Sequence, residues 1–188
     1  MSEDEKRAFV ELFHNEGSGP RIVFMEPKRV VFEECVKMNC FYCGKYGQNW
    51  RCPPNLPDID YPKMFSEYDE GAFVVYTFSY RDKTEYESIR SESSVTLHRT
   101  LLKMEKWMYN HNRSTTISFG AGSCKLCKNG CGKDKCNNPY LSRSPIEATG
   151  ANILKTASKF GIDIRFPPSG ELMRVGLIMW QDPIGEER

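Results

Sequence analysis

Within residues 3–15, Phe9, Val10, Leu12 and Phe13 recur at helical spacing, and the turn-rich stretch 16–20 ends that pattern. A short strand is predicted over 21–25. Residues 33–57 have no usable period and contain Pro53, Pro54 and Pro57, so they read as loop. A short helix is predicted over 61–68. Residues 72–79 (AFVVYTFS) are β-branched and aromatic with little polarity, the pattern of a strand buried on both faces. From 84 to 110 the apolar positions Val95, Leu97, Leu101, Leu102, Met104, Trp107 and Met108 step mostly by three and four, which predicts a long helix. A strand comes next over 115–119, then an irregular segment over 120–143. Ser144, Pro145 and Glu147 have the spacing of a capping box, predicting a helix that ends at Gly161. Strands over 162–166 and 174–180 complete the pattern.

Alternation of this kind implies an α/β or α+β class, with helices packed on a mixed sheet and two cysteine-rich metal loops. The 188 residues fit a single metal-binding domain, 1–188. Within it, 1–29 form an N-terminal helix and strand, 30–57 the first cysteine loop, and 58–188 an α/β core carrying the second. A chain of this length buries about two thirds of its unfolded surface, so it builds a core without needing metal to stay compact.

Lysine and arginine (26) almost balance aspartate and glutamate (25), for a net charge of +1. That argues against nucleic acid as a partner, since such binding needs a basic excess or stripe. The apolar runs fall far short of the ~20 residues that cross a bilayer, so no membrane association is expected. The acidic start, Glu3-Asp4-Glu5, differs from the basic start of an export signal. A cytoplasmic location is therefore expected, where thiols stay reduced and metal or redox chemistry displaces disulfides as the use of cysteine.

The eight cysteines are clustered: four within 35–52, four within 124–136. The second quartet is Cys124-x2-Cys127-x3-Cys131-x4-Cys136, with Pro139 beyond it. It is close to the ferredoxin-type run Cys-x2-Cys-x2-Cys-x3-Cys-Pro, and Gly130 and Gly132 permit the tight turns that wrapping requires. Structural zinc sites more often join two Cys-x2-Cys pairs roughly 15–20 residues apart. The first quartet, Cys35-x4-Cys40-x2-Cys43-x8-Cys52, opens like a plant-type [2Fe–2S] loop, although the fourth ligand of that type lies farther downstream. A second cubane or a zinc ion fits the spacing equally well, and the two loops could exchange ligands. Spacing thus favours two iron–sulfur clusters, [4Fe–4S] above all, with zinc as the alternative.

Lys37, Lys45 and Arg51 in the first segment, and Lys125, Lys128, Lys133, Lys135 and Arg143 in the second, would offset thiolate charge or receive an acidic docking surface. Tyr42, Tyr46, Trp50 and Pro53-Pro54 are expected to form an apolar lid that limits water. His14, His98 and His111 stand outside both quartets. No serine–histidine–acid grouping or pair of acids stands out, and no catalytic residue is assigned.

The run Cys40-x2-Cys43-x2-Tyr46-Gly47, then Trp50-x-Cys52-Pro53-Pro54, resembles the first signature of an uncharacterised prokaryotic family described as predicted metal-binding protein. Gly122-Ser123-Cys124-x2-Cys127, Cys131 and Cys136-Asn137-Asn138-Pro139 resemble its second. The segment Arg143-x3-Glu147-Ala148-x-Gly150 is similar to the stretch C-terminal to that second signature in the family. The resemblance covers about residues 30–180 and implies metal binding and a link to anaerobic prokaryotes, with no assigned reaction.

The expectation is an iron–sulfur protein passing single electrons to or from a partner enzyme, an accessory rather than a stand-alone catalyst. Cys35, Cys40, Cys43 and Cys52 would hold one cluster, and Cys124, Cys127, Cys131 and Cys136 the other. The alternatives are a structural zinc-binding interaction module, and a cluster-based catalyst or cluster-delivery protein with an open iron position.

Overall fold

The computed structural model describes residues 1–14 and 19–183. Among these, four strands form one sheet: β1 (Arg21–Met25), β2 (Glu70–Ser79), β3 (Thr116–Phe119) and β4 (Glu171–Trp180), in the order β1-β2-β4-β3. Helices α1 (Glu3–His14), α2 (Glu34–Phe41), α3 (Tyr61–Ser66), α4 (Lys83–Asn110) and α5 (Ile153–Ser158), with 3-10 turns at Pro27–Arg29 and Ile146–Thr149, accompany it. The fold combines helices and a sheet as expected, in the α+β form. The sheet is antiparallel in every pairing rather than mixed. The long α4 delivers β3 to the far edge of the sheet, and the returning β4 inserts between β2 and β3.

Phe73 and Val75 of β2 face one layer, with Phe65, Phe119, Ile146, Ala157, Leu177 and Met179. Ala72 and Val74 face the other, against Phe9 of α1 and Leu97, Leu101 and Met104 of α4. Burial on both faces is therefore observed in the first half of β2; after Val75 the strand stays paired with β4 while half-buried and exposed residues alternate. Gly176 lets α4 lie close: a Cβ there would stand 2.9 Å from Leu101 Cδ1.

Local signals explain the helix starts. The Ser2 hydroxyl accepts the Glu5 N–H (3.2 Å) while Glu5 accepts the Ser2 N–H (2.8 Å), a reciprocal cap on α1. Asp82 caps α4 through the Glu85 N–H at 2.9 Å. The expected end of α1 at residue 15 and most of the turn over 16–20 lie outside the described residues.

Three expectations are corrected. The first cysteine segment is not all loop. Residues 34–41 form α2, invisible to periodicity because none of its residues is fully buried. The capping box at Ser144 does not form, since Ser144 C=O instead takes the Gly120 N–H (2.9 Å) and Ile146 N–H goes to Gly120 C=O (3.0 Å). Extended pairing with the end of β3 replaces the cap, leaving only a 3-10 turn, and Asn152 opens the short α5. Residues 162–166 are no strand. Ile162 and Ile164 alternate with polar neighbours and pack on the core, but the chain then meets Pro167 and Pro168, which have no N–H for a ladder.

Away from the cysteines, Arg113 is 1% exposed and grips both carboxylate oxygens of Glu5 at 3.0 and 3.1 Å. Burial pushes Glu5 up, but its bonds to Ser2 and Arg113 prevail and hold it below its ordinary value. Arg113→Ala is expected to destabilise the fold by about 1–3 kcal/mol, read as a lower urea midpoint, with metal content unchanged.

Candidate metal centre

Both cysteine groups sit beyond the Phe119 end of β3. The second loop leaves β3 at Gly120 and returns at Pro145, and the bridge between these residues closes its neck. Within it, Gly130 adopts φ +80°, and a Cβ on Gly132 would collide with Lys135 C=O, so the turns depend on these glycines. Cys124, Cys127, Cys131 and Cys136 all line one cavity of about 850 Å³. Asn138 Nδ2 donates to Cys127 Sγ at 3.0 Å, and Ser142 Oγ lies 3.4 Å from Cys136 Sγ. Donors aimed at sulfur suit thiolates that carry charge on a metal.

The first segment holds this loop in place. Asn49 Nδ2 donates to Cys124 C=O (3.1 Å), Trp50 Nε1 to Gly132 C=O (2.8 Å), and Arg51 to Pro139 C=O (2.7 Å) and Ser142 Oγ (2.5 Å). Trp50 is thus a clamp between the loops. Tyr46 lines the second cavity and Tyr42 is exposed, so the expected aromatic lid is divided among three roles.

That second cavity, about 770 Å³, is lined by Cys40, Cys43 and Cys52. Cys35 is not on it. Residues five apart on a helix diverge by about 140°, and α2 carries Cys35 on its exposed first turn and Cys40 in its last. The structure therefore brings seven of the eight expected ligands to two cavities. Cys52 links them: burial first, then the neighbouring Cys40, Cys43, Cys124 and Cys131, push its thiol up to about 12. Among the described residues, no three His, Cys, Asp or Glu side chains meet tightly enough to hold a single ion.

The raised Cys52 thiol has a consequence for the metal-free protein. A group kept neutral by the fold contributes stability below its unfolded value of 9.0 and loses it as pH rises toward about 12. Metal-free protein is expected to lose urea resistance across that window, and Cys52→Ala to flatten the loss.

Several residues at the site carry no cysteine signature. Glu147 has a buried Oε2 without a hydrogen-bond partner. Its carboxyl is pushed up by burial, against the backbone N–H groups of Glu147 itself and Gly122 and the nearby Arg174. Arg174 interrupts an otherwise apolar run in β4, and that interruption was the available signal. His98 takes no place among the ligands. Burial lowers its pKa, and its ring nitrogen Nε2 lies 2.8 Å from Leu141 C=O, supporting the exit of the second loop from below. His111 stacks on Trp107, also away from the cysteines.

The sequence model of the family described as Predicted metal-binding protein (DUF2284) matches residues 23–180. The chain belongs to this family. No curated protein and no solved structure matches it. Membership makes this a predicted metal-binding protein of unknown function and spans both cysteine groups. Among the described residues, no helix is long and apolar enough to cross a membrane.

Proposed function

We propose that this DUF2284 protein is a two-cluster iron–sulfur protein that passes single electrons to or from a partner. Cys124, Cys127, Cys131 and Cys136 hold one cluster, and Cys40, Cys43 and Cys52 hold the other. The observation that carries this reading is the ring of four thiols about one cavity, with an amide and a hydroxyl placed against two of the sulfurs. A tetrahedral zinc would draw all its sulfurs to about 2.3 Å from one point, whereas a multi-iron cluster suits thiols spread around a cavity.

Bound clusters would supply the redox chemistry. The chain's own part is to hold the sulfurs, aim Asn138 and Ser142 at them, and limit water. The exposed Lys128, Lys133 and Lys135 of the second loop support docking of an acidic partner surface.

Anaerobically purified protein is expected to be brown, to contain iron and acid-labile sulfide in equal amounts, and to bleach reversibly with dithionite. Colourless protein retaining zinc without sulfide would defeat the proposal in favour of a structural zinc module.

A further inference from the structure

The cavity at the first cysteine group differs from its neighbour in ways that separate their uses. Three thiols line it instead of four. Lys45 and Lys125 line both cavities, whereas Arg90 and Arg174 reach this one alone. Arg174 and Lys125 are held side by side, because both donate to Arg90 C=O, at 2.7 and 3.3 Å. Arg174 is fixed further by Ser93 Oγ at 3.0 Å. Among the described residues neither Arg174 nor Lys125 forms a salt bridge, while Arg90 reaches only the exposed Glu87. A three-thiolate [4Fe–4S] centre carries a charge of about −1, which leaves Lys45, Lys125 and Arg174 in excess of it. Val36, Ile153, Leu154 and Phe166 add an apolar part to its lining. Glu147 lines the same cavity, with a buried, unpartnered Oε2 and a backbone C=O 3.8 Å from Cys40 Sγ. Thiols, excess cations and apolar side chains in one cavity describe a binding site for an anion with an apolar body.

We propose that Cys40, Cys43 and Cys52 hold the first metal centre without Cys35, and that the cavity they share with Arg174 and Lys125 receives a small organic acid at that centre. The inference rests on the iron–sulfur reading above. Arg174 and Lys125 would face the acid's carboxylate and Ile153 and Leu154 its hydrophobic part, and a bound cluster held by three thiolates would offer it one iron without a cysteine ligand. The second centre, ringed by four thiols, stays closed and passes electrons.

The test uses anaerobic, fully loaded protein, with mandelate as the probe and benzyl alcohol as its uncharged control. Cys35→Ser is expected to keep the iron and sulfide of the unaltered chain, and Cys40→Ser to lose roughly half. Mandelate is expected to shift the electron paramagnetic resonance signal of one reduced centre, in both the unaltered chain and Cys35→Ser. Benzyl alcohol should leave both signals in place. Arg174→Gln, with its folding checked by thermal melting, should raise the half-saturating mandelate concentration by roughly tenfold or more at unchanged iron content, and Arg174→Lys should restore part of it. Loss of half the iron in Cys35→Ser would overturn the inference by showing a closed four-thiolate site, and would leave the two-cluster reading standing. So would a mandelate titration that moves neither signal. Absence of iron and sulfide altogether would instead defeat the underlying reading, and this inference with it.

Discussion

Cys127→Ser is expected to remove roughly half of the bound iron and sulfide while leaving the sheet folded. Cys127 is one of four thiols on the second loop's cavity, and serine offers a poor ligand in its place. The sulfur also accepts Asn138 Nδ2–H at 3.0 Å, so the substitution disturbs the loop's internal bonding as well. The rest of the molecule has little reason to follow. Both packed layers of the core, around Phe73 and Leu177 on one side and Leu101 and Ile178 on the other, are built without any of the eight cysteines. The neck bonds at Gly120 also lie outside the thiol ring. Metal counts should fall to the level of one centre, and hydrogen exchange should quicken over 121–144 while β2 and β4 keep their protection. Global unfolding of Cys127→Ser, with exchange rising equally in β2 and β4, would show that metal stabilises the whole domain.

The strands and the long helix were legible because their residues obey one dominant rule. The run at 72–75 is apolar on both faces, and α4 repeats Leu97, Leu101, Met104 and Met108 toward one layer. The elements that failed either lack such a rule or, as at 162–166, follow it into Pro167 and Pro168. Helix α2 has no buried face to announce it, and the cap at Ser144 lost to tertiary pairing with Gly120. At the site, cysteine spacing identified both groups, because a loop must return its ligands within a few residues. It did not separate Cys35 from Cys40, because convergence of a Cys-x4-Cys pair assumes loop and a helix turns the two apart. Nor did it reveal Asn49, Arg51, Asn138 or Glu147, whose roles depend on contacts such as Asn49 to Cys124, across 75 positions of chain.

Arg51→Ala is expected to weaken metal retention at the second centre by about 10–100-fold, though Arg51 touches no sulfur. Its Nε donates to Ser142 Oγ at 2.5 Å, and its outer nitrogen to Pro139 C=O at 2.7 Å. With the Ser142 oxygen occupied as an acceptor, its hydrogen is free to point at Cys136 Sγ, 3.4 Å away. Arg51 therefore orients a donor onto a ligand from a separate segment of chain. Removing it frees the 139–142 backbone and lets the hydroxyl turn away, so the sulfur holds its negative charge less well. Ser142→Ala should lose the donor while keeping the Arg51 bond to Pro139, with a smaller loss of metal. Both variants should lower the reduction potential of one centre, since a donor at sulfur favours the more electron-rich state. The measurement is iron release to a chelator under anaerobic conditions, alongside a dithionite titration. Equal release rates for the unaltered chain and Arg51→Ala would mean that the thiols hold the centre without help from the first segment.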